Sequence, residues 1–142
     1  MSWDVMVFNL PTRPRSVSEM KEDDLLPLGD GESARAAISK VLTGVDWSDS
    51  TWGVYVGGGF SIEFNVGKTD PVRDIMLHVR GGGDAIGDIM KFIVPNNWTA
   101  LDCSTGDFLD PIAPSDAGWV GFQNYRDRLL RRNPGEAGGQ RK

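Results

Sequence analysis

The residues of this chain that could do acid–base or nucleophilic chemistry are few. His78 is the only histidine and Cys103 the only cysteine. A Ser-His-Asp triad would have to use His78, and no Gly-x-Ser-x-Gly sequence accompanies it. A thiolate would need a base or a positive charge beside Cys103. We expect Leu101 and Cys103 on the core side of their strand, which buries the thiol and places it on the face opposite His78. The sequence therefore predicts no catalytic residue.

Metal and cofactor sites are not expected either. A histidine cluster or a multi-cysteine site for a transition metal cannot form within one chain that has one residue of each type. The run Arg80–Asp84 places three glycines between a strand and a helix, where backbone amides can hold phosphate. Its spacing matches no nucleotide-binding motif, and Asp84 would put a carboxylate on those amides. A capped turn is the better interpretation.

A polar surface is the better candidate for function. Glu63, Asn65, His78 and Arg80 fall on the polar side of two neighbouring strands, and Asp102 joins them if its strand pairs with the same side aligned. Two interpretations stay open for this surface. It is either an ordinary solvated sheet face with cross-strand ion pairs, or a binding surface flanked by Trp47 and Trp52. For Trp47 a buried anchor is the favoured role.

Three strands must position these side chains. Residues 52–56, 60–66 and 75–80 alternate or are rich in β-forming residues, and glycines or Lys68–Pro71 separate them. Phe60, Ile62 and Phe64 share one parity, as do Ile75, Leu77 and Val79, which is the period of a strand buried on one face. The pattern predicts an antiparallel meander with one apolar and one polar face.

The remaining elements follow from periodicity and capping signals. Residues 2–10 predict a first strand, 12–31 an irregular connection, and 45–51 a polar loop. Asp30 and Asp84 are candidate N-caps of two short amphipathic helices, expected to end at Gly44 and Pro95. Residues 98–103 resume an extended pattern that leads through a turn to Phe108, and a third helix is expected from Ser115 with arginines toward its end.

This order predicts an α+β fold. We expect a mainly antiparallel sheet of about five strands with two helices on one face, as a ferredoxin-like variant, plus a C-terminal helix. Residues 1–132 are expected to form a single domain and 133–142 a flexible tail. The predicted core comprises Val5, Val7, Ile38, Val41, Val54, Phe60, Ile62, Phe64, Leu77, Val79, Ile86, Ile89 and Leu101.

Composition narrows the class of partner. The chain has 142 residues, and its net charge of −5 disfavours nucleic acid and mildly favours a basic protein partner. No apolar run approaches the ~20 residues that span a bilayer. Neither a signal peptide nor a membrane anchor is expected, and a lone cysteine is compatible with a cytoplasmic location.

Four segments carry a resemblance to a known group. Trp3-Asp4-Val5, Phe60–Asn65, Met76–Gly82 and Ala100–Leu109 resemble a family of small uncharacterised bacterial α+β proteins, over approximately Ser2–Pro111. The resemblance implies a bacterial, cytoplasmic, stand-alone domain and no particular activity. In size and charge the chain is also similar to the small acidic immunity proteins that neutralise bacterial toxins.

Function is therefore expected to be binding and not catalysis. The leading hypothesis is a non-enzymatic protein-binding domain, of immunity or regulatory type, that uses the polar sheet face. The alternative is a small enzyme or ligand-binding protein in which His78 acts with Glu63 or Asp102 as acid and base. Self-association through the sheet face or the last helix is a third possibility.

Overall fold

The structure is one antiparallel sheet with its three α-helices on one side. It is a computed structural model, and it describes residues 1–132. The tail predicted for 133–142 lies outside the described residues. Two short 3₁₀ helices, Val17–Glu19 and Glu22–Asp24, lie between the first strand and the first α-helix. The elements in chain order are β1 Trp3–Phe8, α1 Gly31–Ser39, β2 Asp46–Asp49, β3 Trp52–Val56, β4 Phe60–Asn65, β5 Ile75–Gly81, α2 Ala85–Ile93, β6 Thr99–Asp102, β7 Asp107–Phe108 and α3 Ala117–Arg132.

The sheet has seven strands in the order β2-β3-β4-β5-β1-β6-β7. The prediction of about five strands in a ferredoxin-like arrangement is therefore wrong. A ferredoxin-like sheet interleaves strands from the two halves of the chain. Here β2 to β5 follow one another across the sheet, and β1 joins the outer side of β5 before β6 and β7. The meander thus continues to a fourth strand, and the C-terminal helix is present as predicted.

The strand missed by the sequence is β2, which lies in the segment expected to be a polar loop. Asp46 pairs with Val54 and Asp49 with Trp52, so the intervening Trp47 points to the helix side. Its ring occupies the space above Gly53, where a built Cβ would lie 2.5 Å from the ring, and it stacks obliquely on Phe64 at 6.0 Å. Trp47 is therefore a packing anchor, and it fixes the position of β2.

The core lies between the sheet and the helices. Val5, Leu77 and Phe64 are fully buried partners across three central strands, and most of the predicted core is buried with them. Val54 and Leu101 were predicted to lie in the core, and this is wrong. The alternation of side chains along β3 and β6 is the opposite of the predicted one, so both residues face away from the helices. Gly53 and Tyr55 face the helices on β3, which leaves Val54 exposed.

Helices α1 and α2 start where the capping residues predicted. Asp30 accepts a hydrogen bond from the Ser33 amide at 2.8 Å, and Asp84 accepts one from the Gly87 amide at 2.9 Å. The second contact occupies the amides that a phosphate would need, in agreement with a capped turn. Helix α1 ends at Ser39, five residues before the expected Gly44.

Helix α3 packs on the helix side only through its first half. Trp119 stacks obliquely on Trp3 at 5.5 Å and donates its indole proton to the Gly83 carbonyl at 2.9 Å. Arg126 donates to the Gly81 carbonyl at 2.6 Å. Beyond Arg126 the described residues show no side-chain hydrogen bond or ion pair that links α3 to another element.

Both outer strands are short and interrupted. Strand β7 has two residues. Strand β2 has four residues, and its register with β3 shifts between Asp46 and Asp49. The carboxylate of each aspartate accepts a hydrogen bond from the backbone amide two residues later in the chain. The sheet therefore ends in edges that offer few regularly spaced backbone groups.

Candidate functional site

The candidate site is the side of the sheet opposite the three α-helices, which we name the open face. Successive residues of each strand alternate between this face and the helix side, so register assigns its members. They are Asp4, Met6 and Phe8 of β1, Trp52, Val54 and Val56 of β3, Ser61, Glu63 and Asn65 of β4, Met76, His78 and Arg80 of β5, Thr99 and Leu101 of β6, and Asp46 and Asp49 of β2. Phe8 and Thr99 are buried, so the exposed part of the face is the rest.

One row of side chains crosses the middle of the open face. Glu63 lies opposite His78, His78 lies opposite Asp4, and the Cys103 amide bonds to the Asp4 carbonyl beyond it. Neighbouring strands are about 4.8 Å apart, so His78 and Cys103 stand about 10 Å from each other with Asp4 between them. An imidazole in this order cannot take a proton from the thiol.

The His78 ring has two contacts, a hydrogen bond with Asp4 and a stacking contact with Trp52. Its Nδ1 lies 2.9 Å from Asp4 Oδ1, and its ring stacks on Trp52 at 5.5 Å with an angle of 18°. Ser2 Oγ donates to the same carboxylate oxygen at 2.5 Å. Because the carboxylate accepts at Nδ1, that nitrogen carries the proton, and Nε2 of the neutral ring is the atom able to accept a hydrogen bond.

The other predicted polar residues of the face are also present. Arg80 donates to Glu63 through Nη1 in an ion pair across β4 and β5. Asn65 is exposed and lies opposite Trp52. The structure thus brings Glu63, Asn65, His78, Arg80 and Trp52 to one face, as the sequence predicted.

Asp102 is not on this face, and the prediction that it joins the polar residues is wrong. Ala100 and Asp102 point to the helix side because β6 pairs with β1 in the register Val5 to Asp102. The carboxylate is 2% exposed. Its Oδ1 accepts from the Trp3 indole at 3.0 Å and from the Ser104 amide and hydroxyl at 2.9 and 2.6 Å. Its role is to anchor the β6–β7 turn and the first strand.

The expectation that Cys103 is buried on the face opposite His78 is also wrong. Cys103 is exposed and lies on the same face as His78. Partial desolvation raises the pKa of the thiol, and the Asp4 charge raises it further. Both effects keep the thiol protonated, which opposes nucleophilic chemistry. Catalysis by Cys103 is thus disfavoured by its neighbours, although the sequence disfavoured it through burial.

At the β2 and β3 edge of the open face, acidic side chains lie beside exposed apolar ones. We name Asp46, Asp49, Trp52, Val54 and Val56 the β2–β3 patch. Val56 is 77% exposed. The pKa of Asp46 is lowered by hydrogen bonds from the Ser48 hydroxyl and amide, and the pKa of Asp49 by those from Thr51. Both carboxylates are therefore ionised at neutral pH beside the exposed valines, and the Lys68 charge also acts on Asp49.

A groove closes one end of the open face, between the start of β1 and α3. Its volume is about 580 Å³, and its walls include Trp3, Asp4, Cys103, Gly121, Phe122 and Tyr125. Gly121 leaves open space on this wall, because a Cβ there would meet no atom within 4 Å. The volume of this groove is in the range of small-ligand pockets, whereas the rest of the open face is flatter, as is typical of a surface that contacts another macromolecule.

Sequence reasoning missed Asp4 as a member of the site. The signal was present, because Trp3, Val5 and Val7 alternate with Asp4 and Met6. Placing Asp4 beside His78 required the knowledge that β1 pairs with β5, although 66 residues separate the end of β1 from the start of β5 in the chain. No local pattern encodes that pairing.

A scan against protein-family models, a search of curated proteins and a search of solved structures each found no match. The resemblance to a bacterial family stays a prediction. Within residues 1–132 no helix is both long and apolar enough to cross a membrane. The same residues hold no group of three or more His, Cys, Asp and Glu side chains placed to bind a metal ion.

Proposed function

We propose that this protein is a non-enzymatic protein-binding domain whose open face receives a basic protein partner. The observation that supports this most directly is the composition of the open face. Four carboxylates, those of Asp4, Asp46, Asp49 and Glu63, share it with the single guanidinium of Arg80 and the imidazole of His78. An immunity-type or regulatory role in the bacterial cytoplasm fits such a surface.

Apolar contact area is available beside the charges. Val54 and Val56 are exposed, and Trp52 lies next to them. An aromatic residue among small apolar residues and charges is typical of the energetic centre of an interface. A partner that places arginines or lysines around an apolar segment would match both properties of the surface.

The alternative of a small enzyme has less support. Asp102 is separated from His78 by the sheet, and Glu63 is engaged by Arg80. His78 keeps one aspartate partner, but it sits on a flat face next to a stacked tryptophan. An acid and a base around a concave pocket are the geometry that such an enzyme needs.

A comparative capture experiment tests the proposal. The full chain is used as bait in a bacterial lysate, beside the Val54→Lys/Val56→Lys variant, which adds two positive charges to the open face without removing a hydrogen bond. Ile112→Lys is the matched control, because Ile112 is 93% exposed and lies outside the sheet. We expect one or more basic proteins to bind the wild type and the control and to be lost with the double variant. Equal capture by all three baits would contradict the proposal.

A captured protein must then be located on the surface. Backbone NMR spectra of the labelled domain with the purified partner should show shifts concentrated at Trp52, Val54 and Glu63. Shifts confined to the helix side would place the interface elsewhere and overturn the assignment of the open face.

A further inference from the structure

The last turns of α3 are the most basic part of a chain that is otherwise acidic. Residues 1–124 contain 9 Lys and Arg against 18 Asp and Glu, whereas residues 125–132 contain four arginines and one aspartate. Arg126 is tied to Gly81 and Asp127. Arg128 and Arg131 are exposed, and within the described chain neither forms an ion pair.

This basic segment also exposes apolar side chains. Tyr125 is 50% exposed and Leu130 is 65% exposed. Arg128 lies over the Tyr125 ring at 5.9 Å, which holds the charge beside the apolar surface. Residues 127–131 extend about 7.5 Å along the helix axis. Within the described part of the chain their side chains form no hydrogen bond or ion pair with another element. We name residues 125–132 the basic end of α3.

The basic end matches the β2–β3 patch in both charge and apolar character. Exposed arginines beside Tyr125 and Leu130 correspond to Asp46 and Asp49 beside Val54 and Val56. Within one molecule, Trp119 and Arg126 hold α3 on the helix side of the sheet, against Trp3 and the Gly81 carbonyl, while the patch lies on the open face. In the described residues no side-chain hydrogen bond or ion pair joins the basic end to the patch.

We infer that the β2–β3 patch of one copy binds the basic end of α3 of a second copy, so that the protein self-associates through complementary surfaces. The inference rests on the proposed function, since it names a second copy of this chain as one basic partner of the open face. Two copies that exchange α3 ends satisfy both contacts in a closed dimer. The attraction between surface charges makes this association weaken as salt rises.

Sedimentation velocity of the full chain over a range of concentrations tests the inference, in about 50 mM and about 500 mM NaCl. At low salt the average mass should rise with concentration toward that of a dimer, and at high salt it should stay near the monomer. A monomer at every concentration in low salt overturns the inference.

Variants that change the charge of each surface test whether the β2–β3 patch and the basic end of α3 are the surfaces in contact. Arg128→Glu/Arg131→Glu and Val54→Lys/Val56→Lys should each weaken self-association about tenfold or more, because each places like charges on both surfaces. A mixture of the two variants should associate, since glutamates on one copy then meet lysines on the other. Lys21→Glu/Lys40→Glu is the control, changing two exposed lysines outside the β2–β3 patch and the basic end. A mixture that stays monomeric, while the wild type associates, overturns the assignment of these surfaces.

Two further results keep this inference separate from the proposed function. If the wild type is monomeric but still loses its lysate partners with Val54→Lys/Val56→Lys, the inference fails and the proposed function stands. Binding of duplex DNA or of phosphatidylserine vesicles that depends on Arg128 and Arg131, without a change in mass of the free protein, would assign the basic end to a polyanion and overturn self-association.

Discussion

The indole ring of Trp47 fills the space directly above Gly53, so that a residue of one strand replaces the missing side chain of its neighbour. Trp47 also donates from its Nε1 to the Ser39 hydroxyl at 2.8 Å, at the last residue of α1. One glycine therefore lets β2, β3 and α1 share a single aromatic anchor.

Replacing Gly53 with alanine should destabilise the domain by about 1–3 kcal/mol, because the new methyl group would overlap a ring that is already packed on Phe64. Urea unfolding measures the difference. Gly58→Ala is the control, since a methyl group there meets no atom within 4 Å. Equal stability of the two variants would show that the Trp47 ring is free to move away.

Alanine substitutions at Gly118 and at Gly121 of α3 should change the stability of the domain in opposite directions. A methyl group at Gly118 would overlap Asp102 Oδ2, whereas at Gly121 it meets nothing within 4 Å. We expect Gly118→Ala to cost about 1–3 kcal/mol and Gly121→Ala to stabilise by up to about 1 kcal/mol, through the better helix propensity of alanine. Thermal unfolding of both variants gives the comparison, and a stabilised Gly118→Ala would contradict the close approach of α3 to β6.

Removing the Asp102 carboxylate should destabilise more than removing an exposed one. Asp102→Ala leaves the Trp3 indole and the Ser104 amide without their acceptor in a buried position, at a cost of about 2–4 kcal/mol. Asp102→Asn keeps an oxygen acceptor and should cost less. Asp107, opposite Asp102 on β7 and exposed, is the control, and Asp107→Ala should be close to neutral. A small loss for Asp102→Ala would mean that water replaces the carboxylate.

Stability should fall in acid partly through Asp49. Hydrogen bonds from the Thr51 hydroxyl and amide lower its pKa in the folded state. A lowered pKa contributes stability above the unfolded value of about 3.9, and that contribution is lost as the pH falls through the folded value. Asp49→Asn keeps the acceptor and removes the titration. Its urea midpoint should therefore change less than that of the wild type between about pH 5 and about pH 3. Parallel pH profiles would contradict the lowered pKa.

Cys103 should react slowly with iodoacetamide despite its exposure, because desolvation and the Asp4 charge raise the pKa of its thiol. The rate at about pH 8 should be below that of the urea-unfolded chain, in which the pKa is near 8.5. Asp4→Asn should increase the rate in the folded protein. A folded rate equal to the unfolded one would indicate an ordinary thiol.

The elements that the sequence predicted well are those with strong local signals. Alternation in β4 and β5 identified their buried residues, and Asp30 and Asp84 identified two helix starts. The same alternation brought Glu63 and His78 to one face, because parity within a strand and pairing between adjacent strands are local properties.

The errors concern properties that only tertiary packing decides. Strand β2 contains serine and aspartate and has no strand pattern in its sequence. It forms because Trp47 packs above Gly53 of β3. Asp102 looked like a surface residue because aspartate is rarely buried. Its burial depends on Trp3, which lies 99 residues away in the chain and supplies the indole donor. Neither partner could be found from residues near Asp102.

The two interrupted edges of the sheet have a consequence for behaviour at high concentration. A seven-stranded sheet with one uncovered face could in principle grow by adding strands from neighbouring molecules into cross-β fibrils. Strand β7 is two residues long, and at the other edge Asp46 accepts from the Ser48 amide of β2 while Asp49 accepts from the Thr51 amide in the turn that follows. Few regularly spaced backbone groups remain for an added strand at either edge, so the uncovered face can serve side-chain contacts without favouring fibril growth.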